Sequence, residues 1–230
     1  MTMQVLRLAV VPVLCVGVGC GGAAAVAPPP SPDTNAAVVK TDAKPVALFN
    51  GKDLTGWVQV LDSKWTVNNG VLMAKQDPKG RREGESWLLT EKDYADFVLT
   101  LKFKVSAGGN SGIFMRDPIP RADRLKAADG GPNPWEIGLE ANIQADNPDW
   151  STGCVYAIGK APKGLEKIGE WNDFKAKVQG NHVTVWINGQ LGADTDQTRT
   201  KKGAIGFQRH GTPKYADKLV EIKEVYIEEL

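Results

Sequence analysis

From residue 97 to 105 the chain reads FVLTLKFKV. Phe97, Leu99, Leu101, Phe103 and Val105 fall on one side, and Val98, Thr100, Lys102 and Lys104 on the other. Successive side chains of a strand point to opposite faces, so this alternation predicts a half-buried strand. Residues 174–178 and 182–187 repeat the pattern across Gln179-Gly180-Asn181, and Asn188-Gly189 turns the chain again. Asn68-Asn69-Gly70 divides the alternating run over 64–75 in the same way, a hairpin signal. Residues 204–208 and 219–227 read as the closing strands. No window sustains a helical period except a weak one over 121–128. The prediction is an all-β sandwich of roughly twelve strands. Residues 117–134, with Gly130-Gly131-Pro132 and Pro134, read as a loop of a length that usually has a functional reason.

Residues 135–146, WEIGLEANIQAD, sort their chemistry by face when read as one strand. Ile137, Leu139, Ala141 and Ile143 share one side; Glu136, Glu140, Asn142 and Gln144 share the other, with Gly138 between the two glutamates. Two carboxylates and two carboxamides with no Lys or Thr among them suit the floor of a polar cleft. The plainer alternative is a solvated outer face.

Composition narrows the classes. With 28 basic and 27 acidic residues interspersed, the net charge of +1 offers no electrostatic footprint for nucleic acid. The 25 glycines and 7 tryptophans favour turn-rich β structure with aromatic platforms. Residues 1–20 read as a targeting segment: Arg7, then an apolar run over 8–18 too short for a stable span. It ends at Gly17-Val18-Gly19-Cys20, which resembles a bacterial lipobox, with Gly17 where a large aliphatic residue is usual. Secretory cleavage within the alanines of 23–27 is the competing reading. The expectation is an exported lipoprotein, periplasmic or cell-surface, that meets the membrane only through lipid on Cys20. Residues 21–44, rich in Ala and Pro, read as a tether, and 45–230 as the folded domain. Cys154 is then a lone cysteine, expected to behave as a small buried hydrophobe. No protein partner can be inferred.

Motifs in the body carry a resemblance. Residues 48–57 (LFNGKDLTGW), Asn110-Ser111-Gly112-Ile113-Phe114-Met115-Arg116, Gly138-Leu139-Glu140 with Ile143, Thr152-Gly153-Cys154-Val155-Tyr156, Gly169-Glu170-Trp171-Asn172 and Phe207-Gln208-Arg209-His210-Gly211 occur in that order. Together they resemble the 3-keto-disaccharide hydrolase family, also described as 3-keto-glycoside lyases and hydratases, across roughly residues 46–230. Asn142 stands where that family has Gln, and the family's Arg-Asn-Ile near the C-terminus is replaced by Lys218-Leu219-Val220-Glu221-Ile222.

The resemblance implies a concanavalin-like jelly-roll β-sandwich acting on sugars oxidised at C3. A ketone there acidifies the hydrogen on C2. A base removes it, the glycosidic oxygen on C1 is eliminated, and water adds back. Such a route needs one placed base and donors or positive charge at the enediolate oxygen. Glu140 is the preferred base with His210 as the alternative, and Arg116 is the candidate for oxyanion stabilisation. Asn110, Ser111, Glu136, Asn142, Gln144, Trp171 and Gln208 are candidate sugar contacts. Trp135 and Trp150 are expected to flank the cleft with Trp171, while Trp57, Trp65 and Trp186 pack in the sheets. His182 is expected to be exposed. No metal-ligand spacing is present, although Glu136, Glu140, Asp146, Asp149 and His210 could supply an oxygen-rich site for Mn²⁺ or Ca²⁺. Two alternatives stand beside this reading. One is a non-catalytic carbohydrate-binding module on a lipid anchor. The other is a laminarinase-type glucanase using Glu136 and Glu140 on one strand, which lacks the middle Asp because Gly138 stands there.

Overall fold

The computed structural model describes residues 44–61, 65–74, 85–215 and 217–230. The targeting segment, Cys20 and the tether through residue 43 lie outside the described residues. Thirteen strands form among those described: β1 (Val46–Ala47), β2 (Trp57–Leu61), β3 (Trp65–Asn68), β4 (Val71–Ala74), β5 (Ser86–Tyr94), β6 (Phe97–Val105), β7 (Ser111–Asp117), β8 (Leu139–Ile143), β9 (Asn172–Gln179), β10 (His182–Ile187), β11 (Gln190–Asp196), β12 (Gly203–Arg209) and β13 (Val220–Glu229). The alternation over 97–105 is realised in β6, where every second residue is buried.

The strands make two antiparallel sheets. An eight-stranded sheet runs β11-β10-β9-β6-β13-β4-β3 with β1 on β13, and a five-stranded sheet runs β2-β5-β12-β7-β8. Their inner faces close one apolar core. Phe97, Leu99, Leu101 and Phe103 of β6 meet Ile113 and Met115 of β7, Leu139 and Ala141 of β8, and Phe207 of β12. Trp57 stacks on Phe207 at 5.2 Å, and Trp65 lies 6.2 Å from the same ring. This is the all-β, concanavalin-like sandwich expected. Trp186 differs: it stands half-buried on the outward face of β10, with Lys175 Nζ 5.3 Å from its ring.

In the five-stranded sheet both faces are covered, and β7 and β12 are buried along their whole length. On the outward face Val60, Trp87, Leu89, Phe114 and Ala204 form a second apolar cluster. The segment after β7 lies over it. It contains a short helix α1 (Arg121–Lys126) and is held down by Arg124. The Arg124 guanidinium is fully buried 4.9 Å from the Trp87 ring. It donates twice to Asp117 (2.8 and 2.7 Å) and to the carbonyl of Gly130 (2.8 Å). Gly130 has φ +76°, and a Cβ there would lie 2.9 Å from Leu61 and 3.0 Å from Trp87. The loop expected over 117–134 is therefore an ordered cover fixed by a buried ion pair.

The single strand expected over 135–146 is broken. Asn133 and Pro134 start one helical turn, α2 (Pro134–Ile137), and the Asn133 N–H donates to Glu136 Oε2 at 2.9 Å. Pro at the first helical position and Glu two residues later, at the third, favour a helix start, and that local signal overrode the alternation. The strand begins only at Leu139.

Candidate active site

The site is built where β12, β7 and β8 lie side by side. Phe207 pairs with Ile113, Gly112 with Asn142, and Phe114 with Glu140. The period of two then puts Gln208, Gly112, Glu140 and Asn142 on the outward face, beyond the apolar cluster. Asn110 and His210 continue their strands at that end, and Gln144 follows β8. These side chains, with Trp135, Asn147 and Tyr156, line a narrow cleft of about 80 Å³. A larger hollow of about 630 Å³ lies on the outward face of the eight-stranded sheet. Its charged groups are already engaged: Lys102 with Asp173 at 2.6 Å, and Lys175 over Trp186 at 5.3 Å. The smaller cleft holds the groups able to do chemistry.

Glu140 is 4% exposed, and among the described residues no donor reaches its carboxylate. It fits because the neighbouring strand carries a glycine: a Cβ on Gly112 would lie 1.8 Å from Glu140 Oε1. Burial, reinforced by the nearby charge of Glu85, pushes the Glu140 carboxyl up to about 8. At neutral pH it therefore holds a proton, and it can donate a hydrogen bond as well as accept one.

His210 stands beside it, half-buried. Its Nδ1 lies 2.8 Å from the carbonyl oxygen of Gly211. A carbonyl only accepts, so in the neutral ring the hydrogen sits on Nδ1 and the lone pair on Nε2. Tyr215 packs edge-on at 5.0 Å, and its hydroxyl accepts from Gln144 Nε2 at 3.3 Å. The buried Arg209 guanidinium donates to the carbonyls of His210, at 3.1 Å, and of Tyr215, which holds this corner in place.

The carboxamides are oriented by their other contacts. Asn142 Nδ2 donates to the Trp150 carbonyl, turning its oxygen the other way. Gln144 Oε1 accepts from Asn147 Nδ2 at 3.0 Å. Gln208 Nε2 donates to Glu85 at 2.9 Å, while its buried Oε1 has no partner among the described residues. An aromatic wall closes one side, with Tyr156 5.1 Å from Trp135 and 5.5 Å from Trp150.

Four candidates lie elsewhere. Arg116 is fully buried away from the cleft. Its guanidinium donates to the carbonyls of Ala95 and Gly180 (2.7 Å) and pairs with Asp96 at 2.7 Å. Alternation would have aimed it outward with Phe114, but Arg116 has φ +57° and the register with β12 slips there. The bulge redirects the side chain. Ser111 faces inward and donates to the Gln208 carbonyl at 2.6 Å. Glu136 is exposed and engaged at the start of α2. Trp171 lies between Lys104 and Lys223, 5.1 and 4.4 Å from its ring, which places it on the eight-stranded sheet. His182 is exposed as expected, between Asp194 (2.8 Å) and Asp196 (2.9 Å). Cys154 is buried, and burial with the Glu140 charge pushes its thiol up to about 12.

The oxygen-rich metal set does not assemble either. Glu136 is engaged at the helix start, Asp146 and Asp149 are exposed, and Asp149 lies 3.9 Å from Lys160. No cluster of three or more His, Cys, Asp or Glu poised for a cation occurs among the described residues. With Glu136 off the strand, the acid pair of a laminarinase-type site is absent as well. Two residues that support the cleft lining from behind, Glu85 against Gln208 and Tyr215 against Gln144 and His210, are not evident in the sequence. Glu85 shares parity with Trp87 and Leu89, but only the sheet order brings it to Gln208. Tyr215 enters through a single 3-10 turn, Pro213–Tyr215, with no periodic signal.

Comparison with known proteins agrees with this fold. Residues 44–228 match the model of the 3-keto-alpha-glucoside-1,2-lyase-like domain family. A 3-keto-disaccharide hydrolase of Bacteroides thetaiotaomicron is 28% identical over 167 residues, covering 63% of this chain and 55% of that protein. The chain thus spans little more than half the length of that relative. A candidate glycosyl hydrolase from Parabacteroides distasonis superposes with a TM-score of 0.65 at 26% identity, covering 81% of this chain and 94% of that one. The carbohydrate-binding module CBM66 of Bacillus subtilis shares the fold alone, with a TM-score of 0.54 at 15% identity over 76% of this chain and 96% of that one. Motif order, sandwich and a family match over nearly the whole body lead to one statement: the chain belongs to the 3-keto-α-glucoside-1,2-lyase-like domain family.

Proposed function

We propose that the protein cleaves the glycosidic bond of 3-keto-glycosides or 3-keto-disaccharides by elimination and hydration. The observation that carries this is the pairing of a buried carboxyl held up to about 8 with an imidazole whose Nε2 is unprotonated in the neutral ring. A C3 ketone oxygen can only accept, and Glu140 in its acid form can donate to it. His210 Nε2 takes the hydrogen from C2, and the electron pair moves to the ketone oxygen. There the Glu140 hydrogen bond strengthens as charge develops. A carboxylic acid kept neutral in an apolar site serves the same end in ketosteroid isomerase. The enediolate then expels the glycosidic oxygen from C1, which takes a proton from the His210 imidazolium. Water adds at C1 and a proton returns to C2, completing net hydrolysis. This reverses the sequence-based preference for Glu140 as base, because a base must be unprotonated at the working pH. Asn142, Gln144, Gln208 and Asn110 supply the sugar contacts, and the aromatic wall a surface for the ring. We further propose that the protein is exported and works from a lipid anchor on Cys20.

The test is incubation of the purified protein with 3-keto-trehalose and 3-keto-sucrose in D₂O, with and without EDTA. Deuterium is expected at C2 of the released keto-sugar, above that in free 3-keto-glucose kept in the same buffer. Hydrolysis with no label above that control would refute the elimination route. His210→Asn is expected to lower turnover by ~10² or more while sugar binding persists. Undiminished turnover would remove His210 from the mechanism. Sugar binding without any cleavage, unaffected by Glu140→Gln, would favour the binding-module reading.

A further inference from the structure

The register of three strands puts Gln208, Gly112 and Asn142 in one row on the outward face. Gly112 pairs with Asn142, and the pairing of Phe207 with Ile113 makes Gln208 the residue opposite Gly112. Gly112 leaves the middle of the row without a side chain, and Glu140 fills it: its Oε1 lies 1.8 Å from where a Cβ would stand. The Glu140 carboxyl is thus flanked by a carboxamide on each side, across a backbone span of about 10 Å. Both carboxamides are turned the same way. Gln208 Nε2 donates to Glu85, just before β5, and β5 lies on the side of β12 away from β7. Asn142 Nδ2 donates to the carbonyl of Trp150, in the segment that runs along the outer edge of β8. In a planar amide the oxygen points away from the nitrogen, so both oxygens turn inward toward Glu140. Gln208 is 4% and Asn142 3% exposed, and both line the cleft. Gln208 Oε1 is buried with no partner, and no donor reaches Asn142 Oδ1, among the described residues. Acceptors left so in a dry site call for an explanation.

We propose that Gln208 and Asn142 set substrate specificity by accepting hydrogen bonds from the two hydroxyls that flank the ketone, Gln208 from the one on C2 and Asn142 from the one on C4. This rests on the donor role given to Glu140 above and deepens it. The row then offers acceptor, donor, acceptor, and a hexose oxidised at C3 offers hydroxyl, ketone, hydroxyl along one edge of its ring. The direction of the sugar follows from His210. It stands two residues beyond Gln208, on the β12 side, and C2 must face it to lose its hydrogen. At about 80 Å³ the cleft admits one edge of a sugar ring rather than a disaccharide, which suits recognition concentrated on these three oxygens. A missing hydroxyl leaves a carbonyl oxygen of the row unpaired. A site built on hydrogen bonds rejects such an analogue far more strongly than an apolar pocket does.

The test measures kcat/KM on 3-keto-trehalose and on analogues lacking the C2 or the C4 hydroxyl of the oxidised ring, with the natural chain, Gln208→Met and Asn142→Leu. Each variant keeps the approximate shape of the side chain and removes its amide. In the natural chain each analogue is expected to lose ~10²-fold or more. In Asn142→Leu the loss on the 4-deoxy analogue is expected to shrink by ~10-fold or more, while the loss on the 2-deoxy analogue stays within ~2-fold of its natural value. Gln208→Met is expected to show the converse. The intrinsic effect of each deletion on reactivity is common to all three proteins and cancels in these ratios. Losses that are equal in all three proteins overturn the proposal, and so does a crossed pattern. Should a variant not fold, the natural chain decides: a 4-deoxy analogue cleaved as well as 3-keto-trehalose is equally fatal. The two readings fail separately. Cleavage with deuterium at C2 but without this pattern overturns the hydroxyl pairing and leaves the reaction. The same pattern in dissociation constants, read by calorimetry in a protein that cleaves none of the compounds, sinks the reaction and leaves the pairing.

Discussion

Replacing Glu140 with Gln removes a proton-binding site while keeping nearly the same shape, so it isolates the energetic consequence of burying that carboxyl. The native carboxyl is raised from 4.5 to about 8. Between those values the native state holds a proton that the unfolded chain has released, so stability falls as pH rises. The native state is unpenalised below about 4.5 and bears the full penalty above about 8. At ~1.36 kcal/mol per unit, a shift of roughly three and a half units sets an upper bound near 5 kcal/mol. Water entering the cleft relaxes part of this, and we expect about 2–4 kcal/mol. Gln stays neutral throughout. Urea unfolding of both proteins at intervals from pH 4.5 to 9 should therefore show nearly equal stability at the acid end. The variant should then pull ahead progressively, and the gap should level off above pH 8. At ~2–4 °C per kcal/mol for a domain of this size, melting temperatures should separate by roughly 5–15 °C at pH 8.5. Titrating groups that do not interact with Glu140 are common to both proteins and cancel in the difference. A gap that stays constant across the range would show that Glu140 is not held protonated, and the acid role would fall with it.

Gly112→Ala places a methyl where Glu140 Oε1 now lies, 1.8 Å away; we expect a loss of about 1–3 kcal/mol and a fall in turnover of ~10-fold or more as the Glu140 carboxyl is displaced, and full activity would contradict the packing described. Arg124→Met leaves Asp117 buried without its partner and should cost about 3–5 kcal/mol in urea unfolding; a change below 1 kcal/mol would show that the segment after β7 is not held by this pair. Cys20→Ala is expected to release the protein from the membrane fraction. If the variant remains bound and is cleaved at the same place, the lipid anchor is wrong.

The sandwich itself was legible in the sequence because β structure writes its burial along the chain. In β6, β9 and the hairpin of β3 and β4, alternation and Asn-Gly turns are local consequences of strand geometry and need no partner to be read. The polar face of Glu140, Asn142 and Gln144 was legible for the same reason, and so was the placement of Gln208 and His210 at one strand end. What escaped depended on neighbours. Arg116 was misplaced because its bulge exists only in register with β12. Glu136 was misplaced because a one-turn helix beginning at Asn133 and Pro134 took it off the strand. Trp171 and Trp186 were misplaced because the motif around one and the apolar context of the other do not say which sheet face receives them. Only the tertiary structure brought Glu85 and Tyr215, distant in sequence, against the cleft lining, and only it made the outward face of the five-stranded sheet a buried one. The residue types able to do the chemistry are thus a property of the sequence. Which of them holds the proton is decided by packing, because the cost of a charge depends on the donors and neighbouring charges that folding gathers around it.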